Sequence, residues 1–240
     1  MERLKIPDKY KNILQKFAQD LKDIYQEELI SLILYGSAVS GEFVEKHSNL
    51  NLLVVLKDAH LESLKKSSKL IHKFNMINTL FLTEDYIAKS TTFFPIEYLD
   101  MQENYFVIYG KDILKGLHVD TRNLRFQCEQ ELKEKLLKLR QAFVMKSNDA
   151  SALRNLLFIS FTSFVHILRN ILRLKGKKPP YLKHEVLKEV ISEFKIDSVV
   201  WEKILSAKNN HVKLSGAEVE ELFGSFIKEL EFIVDIVDQL

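Results

Sequence analysis

Leu29-Ile30-Ser31-Leu32-Ile33-Leu34-Tyr35-Gly36-Ser37, followed after ten residues by Ser48-Asn49-Leu50-Asn51-Leu52-Leu53-Val54-Val55-Leu56, sets the frame for the whole chain. The first run is short, apolar and halted by glycine, the pattern of a strand buried on both faces. Gly36 tolerates close backbone approach. The free N–H groups of a helix starting at Ser37, together with the Ser37 hydroxyl, suit a phosphate oxygen. Taken alone, Gly-Ser after an apolar run is simply a turn. The second run adds information, because Asn49 and Asn51 are two residues apart and so emerge on one face of a strand, with Leu50 and Leu52 on the other.

Working outward, 240 residues at 46% hydrophobic and 28% charged give a globular chain with room for one large domain or two small ones. A formal net charge of +2 makes no whole-chain case for nucleic acid, so an anionic partner has to be argued from a local patch. Cys128 is the single cysteine, which rules out an internal disulfide or a cysteine-built zinc site and fits a reducing compartment. Charge within Met1-Glu2-Arg3-Leu4-Lys5 does not suit a signal peptide, and no uninterrupted apolar run is long enough to span a membrane. The expectation is a cytoplasmic protein without a membrane partner.

Apolar residues recurring at three and four predict a helix over residues 8–28, with Asp8 as its N-cap. Strands are expected at 29–35, 50–56 and 75–82, a helix at 59–73 and a capped helix start at Thr83. Residues 96–101, after Pro95, read as a fourth strand, and a further apolar run at 105–109 ends at Gly110. Beyond that point only helical patterns continue, over 124–145, 150–174, 184–194, 198–205 and 217–240. Loops at 175–180 and 208–211 punctuate them. The fold class is therefore α+β: a mixed sheet with flanking helices in residues 1–118, then an all-α helical bundle in 119–240.

An apolar strand, Gly36-Ser37, a short helix, then Asn49-Leu50-Asn51 opening a second strand resembles the signature of the DNA polymerase β-like nucleotidyltransferase superfamily. The helical half is similar to the domain that accompanies aminoglycoside and kanamycin nucleotidyltransferases. In that family the two positions occupied here by Asn49 and Asn51 are aspartates that hold magnesium. The resemblance implies phosphate contacts at Gly36 and Ser37, a nucleoside triphosphate as cofactor, and a third carboxylate from a neighbouring strand. Glu97 is the candidate for that third position, with Asp100 as its rival; as a plain surface acid neither would have a role.

Magnesium is put in question by the same residues. An amide offers a hard cation a dipole but no net charge, and opposite unit charges ~4 Å apart are worth about 4 kcal/mol at an effective dielectric of 20. Losing two anionic ligands therefore costs metal-dependent catalysis many powers of ten. Three alternatives follow. The chain is a degenerate transferase that binds a nucleotide or serves a protein partner in regulation. Otherwise it is an active magnesium-dependent enzyme, moving a nucleoside monophosphate to a hydroxyl with ligands placed elsewhere or with replaced aspartates. The third is a non-catalytic interaction module in which Ser48-Asn49 merely ends a loop.

In the helical half, His166, Arg169 and Arg173 share one stripe and join Lys175, Lys177, Lys178 and Lys183 in the densest positive region of the sequence. Arg169 and Arg173 are candidate phosphate contacts, against the alternative of a solvated helix face. Seven scattered histidines, His47 among them, show no zinc spacing, and no Walker loop or Gly-x-Gly-x-x-Gly is present.

Overall fold

The computed structural model describes residues 3–43, 45, 48–209 and 211–240. Met1, Glu2, His47 and Asn210, which figure in the reading of the N-terminus, the histidines and the 208–211 loop, lie outside the described residues. The chain divides into two compact units, Met1–Thr121 and Arg122–Leu240.

The first unit contains, in order, α1 (Asp8–Tyr25), β1 (Leu29–Tyr35), α2 (Ser37–Ser40), β2 (Leu50–Leu56), α3 (Leu61–Lys65), α4 (Ser68–Lys73), β3 (Ile77–Leu82), α5 (Glu84–Ser90), α6 (Pro95–Glu103) and β4 (Tyr105–Gly110). The strands form one mixed sheet in the order β3-β2-β1-β4. β1 is antiparallel to β2 and to β4, whereas β2 and β3 are parallel.

Both faces of the sheet are covered. Leu32, Leu34, Leu52 and Val54 pack with Leu14, Phe17 and Leu21 of α1, while Ile33, Leu53 and Val55 pack with Ile87 of α5 and Tyr98 and Met101 of α6. Double burial is why β1 and β2 are continuously apolar rather than alternating. Each leucine so enclosed stabilises the unit by roughly 1.5–3 kcal/mol.

Three local expectations are corrected. Residues 96–101 belong to helix α6, not to a strand: Pro95 occupies the first helical turn, where its fixed φ and missing N–H cost nothing. The N-cap of α1 is Pro7, and Asp8 is the first helical residue, its carboxylate near the positive end of the helix. The helix expected at 59–73 is broken into α3 and α4. At the break Ser67 is buried, its hydroxyl donating to the Leu64 carbonyl while the Tyr25 hydroxyl hydrogen-bonds to it at 3.0 Å. Thr83 does cap α5, accepting from the Tyr86 N–H at 3.1 Å.

The second unit is all helical: α7 (Leu124–Lys146), α8 (Ala150–Leu174), α9 (Lys183–Phe194), α10 (Ser198–Lys208) and α11 (Gly216–Asp238). α8 is its axis, touching each of the other four. By length and composition α8 could cross a membrane; in this unit its Leu157, Phe161, Phe164 and Leu168 are buried. Trp201 stands edge-on to Phe226 at 5.1 Å, and Phe164 meets the same ring at 5.8 Å, a geometry aromatic quadrupoles favour. The helix starts are well specified. Asp149 accepts from the N–H groups of Ser151 and Ala152, and Ser215 and Glu218 form a reciprocal capping box.

Candidate functional site

At the end of the sheet where β1 stops and β2 starts, the ladder registers place four polar side chains in one row. Asn51 lies opposite Tyr35 on β1 and opposite Asn78 on β3, and Tyr35 lies opposite Tyr105 on β4. Partners in register share a face, here the face that carries Leu53 and Val55 deeper in the sheet. Asn49 is exposed two residues before Asn51, at the mouth of β2.

Asn78 joins Asn51 directly: its Nδ2 donates to the Asn51 Oδ1 at 3.3 Å. Gly36 completes this corner with φ +80° and ψ −144°, a conformation that only glycine adopts without strain. A Cβ at Gly36 would lie 3.4 Å from the Asn51 Nδ2, so the turn and the amide are in close approach. The Gly36 N–H is committed to the Asn104 carbonyl at 3.0 Å, which ties the turn to the junction of α6 and β4. Its carbonyl accepts from Val39 and Ser40, closing the single turn of α2. Among the described residues the Ser37 hydroxyl has no hydrogen-bond partner, so Ser37 retains a donor to offer a ligand while the Gly36 N–H does not.

Burial pushes the Tyr35 phenol above its ordinary range, so it stays neutral through physiological pH. Tyr105 is also raised, first by burial and then by the carboxylate of Asp112, which accepts from its hydroxyl at 3.2 Å. The row thus presents two amides and two neutral phenols.

Glu97 takes no place in that row. It is exposed on the first turn of α6, and the residue that the strand neighbouring β2 brings beside Asn51 is Asn78. Asn78 was missed because its role depends on the β2–β3 register, which is non-local. The available signal was the Asn78-Thr79 pair near the start of the apolar run of β3. The magnesium that the nucleotidyltransferase fold implies does not fit this donor set. Among the described residues no group of three histidine, cysteine, aspartate or glutamate side chains is placed to hold a metal ion.

Arg169 and Arg173 belong to the second unit. Arg169 is 5% exposed, donates from Nε to the Pro180 carbonyl at 3.1 Å and stacks on the Tyr181 ring at 4.4 Å. Arg173 donates to the side-chain oxygen of the buried Asn170. The Arg169 guanidinium thus ties α8 to the segment leading into α9, whereas the Arg173 bond is made within α8. A more strained cation is Lys208, whose ammonium is driven below the usual lysine range first by burial and then by the charge of Lys183. Its Nζ donates to the Phe158 carbonyl at 3.3 Å.

A pocket of about 550 Å³ opens at the opposite end of the sheet, lined by Glu28, Asp58, His60 and Lys66 among others. Glu28 precedes β1 and Asp58 follows β2, so this pocket is remote from the Gly36 corner.

No family model matches the chain, and no curated protein matches it. Among solved structures it is similar to spectinomycin adenyltransferase AAD(9) from Enterococcus faecialis, crystallised with ATP and spectinomycin. The TM-score is 0.57 at 15% sequence identity, over 90% of this chain and 99% of that one. The likeness is one of fold: a nucleotidyltransferase-like mixed sheet with a helical region after it.

Proposed function

We propose that this chain is a nucleotidyltransferase-fold protein that binds a nucleotide at the Gly36 end of its sheet and does not transfer it. The observation that carries this is the hydrogen-bonded pair Asn51–Asn78, flanked by Asn49, where metal-dependent chemistry on this fold calls for carboxylates. Without anionic ligands, the site has nothing to hold a divalent ion against the attacking and leaving oxygens of a phosphoryl or nucleotidyl transfer. The architecture around the site is retained nevertheless. Gly36 keeps its left-handed turn, and the Ser37 hydroxyl remains available among the described residues.

The solved neighbour was crystallised with ATP, which supports a nucleotide as the ligand class. Calorimetry with ATP and the other triphosphates tests binding, and release of pyrophosphate with a panel of hydroxyl acceptors tests transfer. Binding without pyrophosphate is the expected result. Steady pyrophosphate release would overturn the assignment.

A further inference from the structure

The amide pair does more than remove charge; it reverses the polarity of the corner. The Asn51 carbonyl already accepts from Asn78, and the Asn51 amide nitrogen is the atom turned toward Gly36, at 3.4 Å from where a Cβ would sit. A carboxylate at that point would present only acceptors. Asn51 presents N–H donors there instead. Its other neighbour in the row, Tyr35, is a neutral phenol, again a donor. The row meets a carboxylate at its far edge, where Asp112 is engaged by Tyr105.

Magnesium requires oxygen ligands in near-octahedral array and keeps its water reluctantly, whereas a phosphoryl oxygen is itself a strong acceptor that N–H and O–H groups satisfy directly. An aspartate-lined corner repels a bare polyphosphate and welcomes its magnesium complex. An amide-lined corner does the opposite.

We propose that this site selects the metal-free phosphoryl chain of its ligand, Asn51, Asn78 and the Ser37 hydroxyl donating to phosphoryl oxygens, so that magnesium weakens binding by sequestering the ligand instead of bridging it to the protein. The inference rests on the nucleotide-binding function proposed above and adds the ionic form that is bound. The same oxygens occur in a nucleoside triphosphate and in inorganic tripolyphosphate, and the test separates the two.

Calorimetric titrations of the full chain with ATP and with tripolyphosphate, each in EDTA and in excess magnesium, give four affinities. ATP is expected to bind at least about tenfold more tightly in EDTA, a difference of ~1.4 kcal/mol, and tripolyphosphate to follow the same direction. In the double variant Asn51→Asp, Asn78→Asp the order should invert, with EDTA binding falling and magnesium restoring it. Asn78 is exposed and Asn51 half-buried at the sheet's end, and a thermal melt of the variant checks that the fold is retained.

Tighter binding of the magnesium complex by the unaltered chain would overturn this inference and leave the nucleotide-binding function standing. ATP binding that ignores metal, with no affinity for tripolyphosphate, would also overturn it, since the grip would then lie on base or sugar. Absence of binding in all four titrations would remove both the inference and the function beneath it.

Discussion

The strands β1 and β2 are two different objects along their length. In the middle, Ile33 faces Leu53 and Leu34 faces Leu52, all fully buried between two layers of helices. One or two rungs further on, Tyr35 faces Asn51 and Asn51 faces Asn78, in a row open to solvent at its β3 edge. The middle contributes stability and is indifferent to chemistry. The end contributes little stability, so under the proposed function its residues are set by what the site binds.

The sharpest way to break the contrast is to attack the scaffold at its backbone. Gly110 ends β4 with φ +78°, and a Cβ there would stand 2.0 Å from the Ile30 carbonyl oxygen, which also accepts from Lys111. Neither partner is a flexible side-chain tip, so Gly110→Ala must displace β4 from β1. A loss of about 4 kcal/mol or more is expected in urea unfolding, in the range that strained backbone produces. Leu53→Ala comes next. It removes a fully buried side chain from the face shared with Ile87 and Met101, and should cost roughly 2–5 kcal/mol by the same measurement.

The buried middle was far more legible in the sequence than the open end. Apolar runs, one ending at Gly36 and one following Asn49, gave β1 and β2 to the residue, because burial on both faces favours that pattern. The helices of the second unit were legible from their spacing, to within a few residues at their ends, whereas the caps Asp149 and Ser215 emerged only from the structure. Residues 96–101 were misassigned because Ile96-Glu97-Tyr98 alternates like a strand while Pro95 starts a helix, and in so short a segment the proline outweighs the alternation. Asn49 and Asn51 could be found because they are close in sequence. Asn78 could not, because its place beside Asn51 is fixed only when β3 docks parallel to β2.

A smaller effect separates the two regions by pH. Burial raises the phenols of Tyr35 and of Tyr98, the latter in spite of its 2.6 Å hydrogen bond with Ser90. A raised folded-state value means the fold favours the neutral phenol. The stability it contributes is complete below the unfolded phenol's value of 10.0 and is lost as pH rises through the higher folded value. Thermal melts should therefore weaken progressively above about pH 10, and tyrosinate absorbance of the folded protein should develop late for these two residues. Tyr35→Phe should flatten part of that alkaline loss while leaving the neutral-pH melt nearly unchanged. An identical alkaline profile for the variant would mean that Tyr35 is not held neutral by burial.

The smallest stability effect is expected where the functional effect is largest. Asn78 is exposed, and its bond to Asn51 is a 3.3 Å contact between neutral amides at the rim of the sheet. Asn78→Ala removes that bond without opening a cavity, and water replaces the lost donor, so the unfolding free energy should change by no more than about 0.5 kcal/mol. The same substitution frees the Asn51 amide to rotate and takes one donor from the corner, so nucleotide affinity in EDTA should fall several-fold, read by calorimetry. If Asn78→Ala instead destabilised the chain as strongly as Leu53→Ala and left affinity untouched, the end of the sheet would be part of the scaffold after all. The distinction between a stabilising middle and a binding end would then fail.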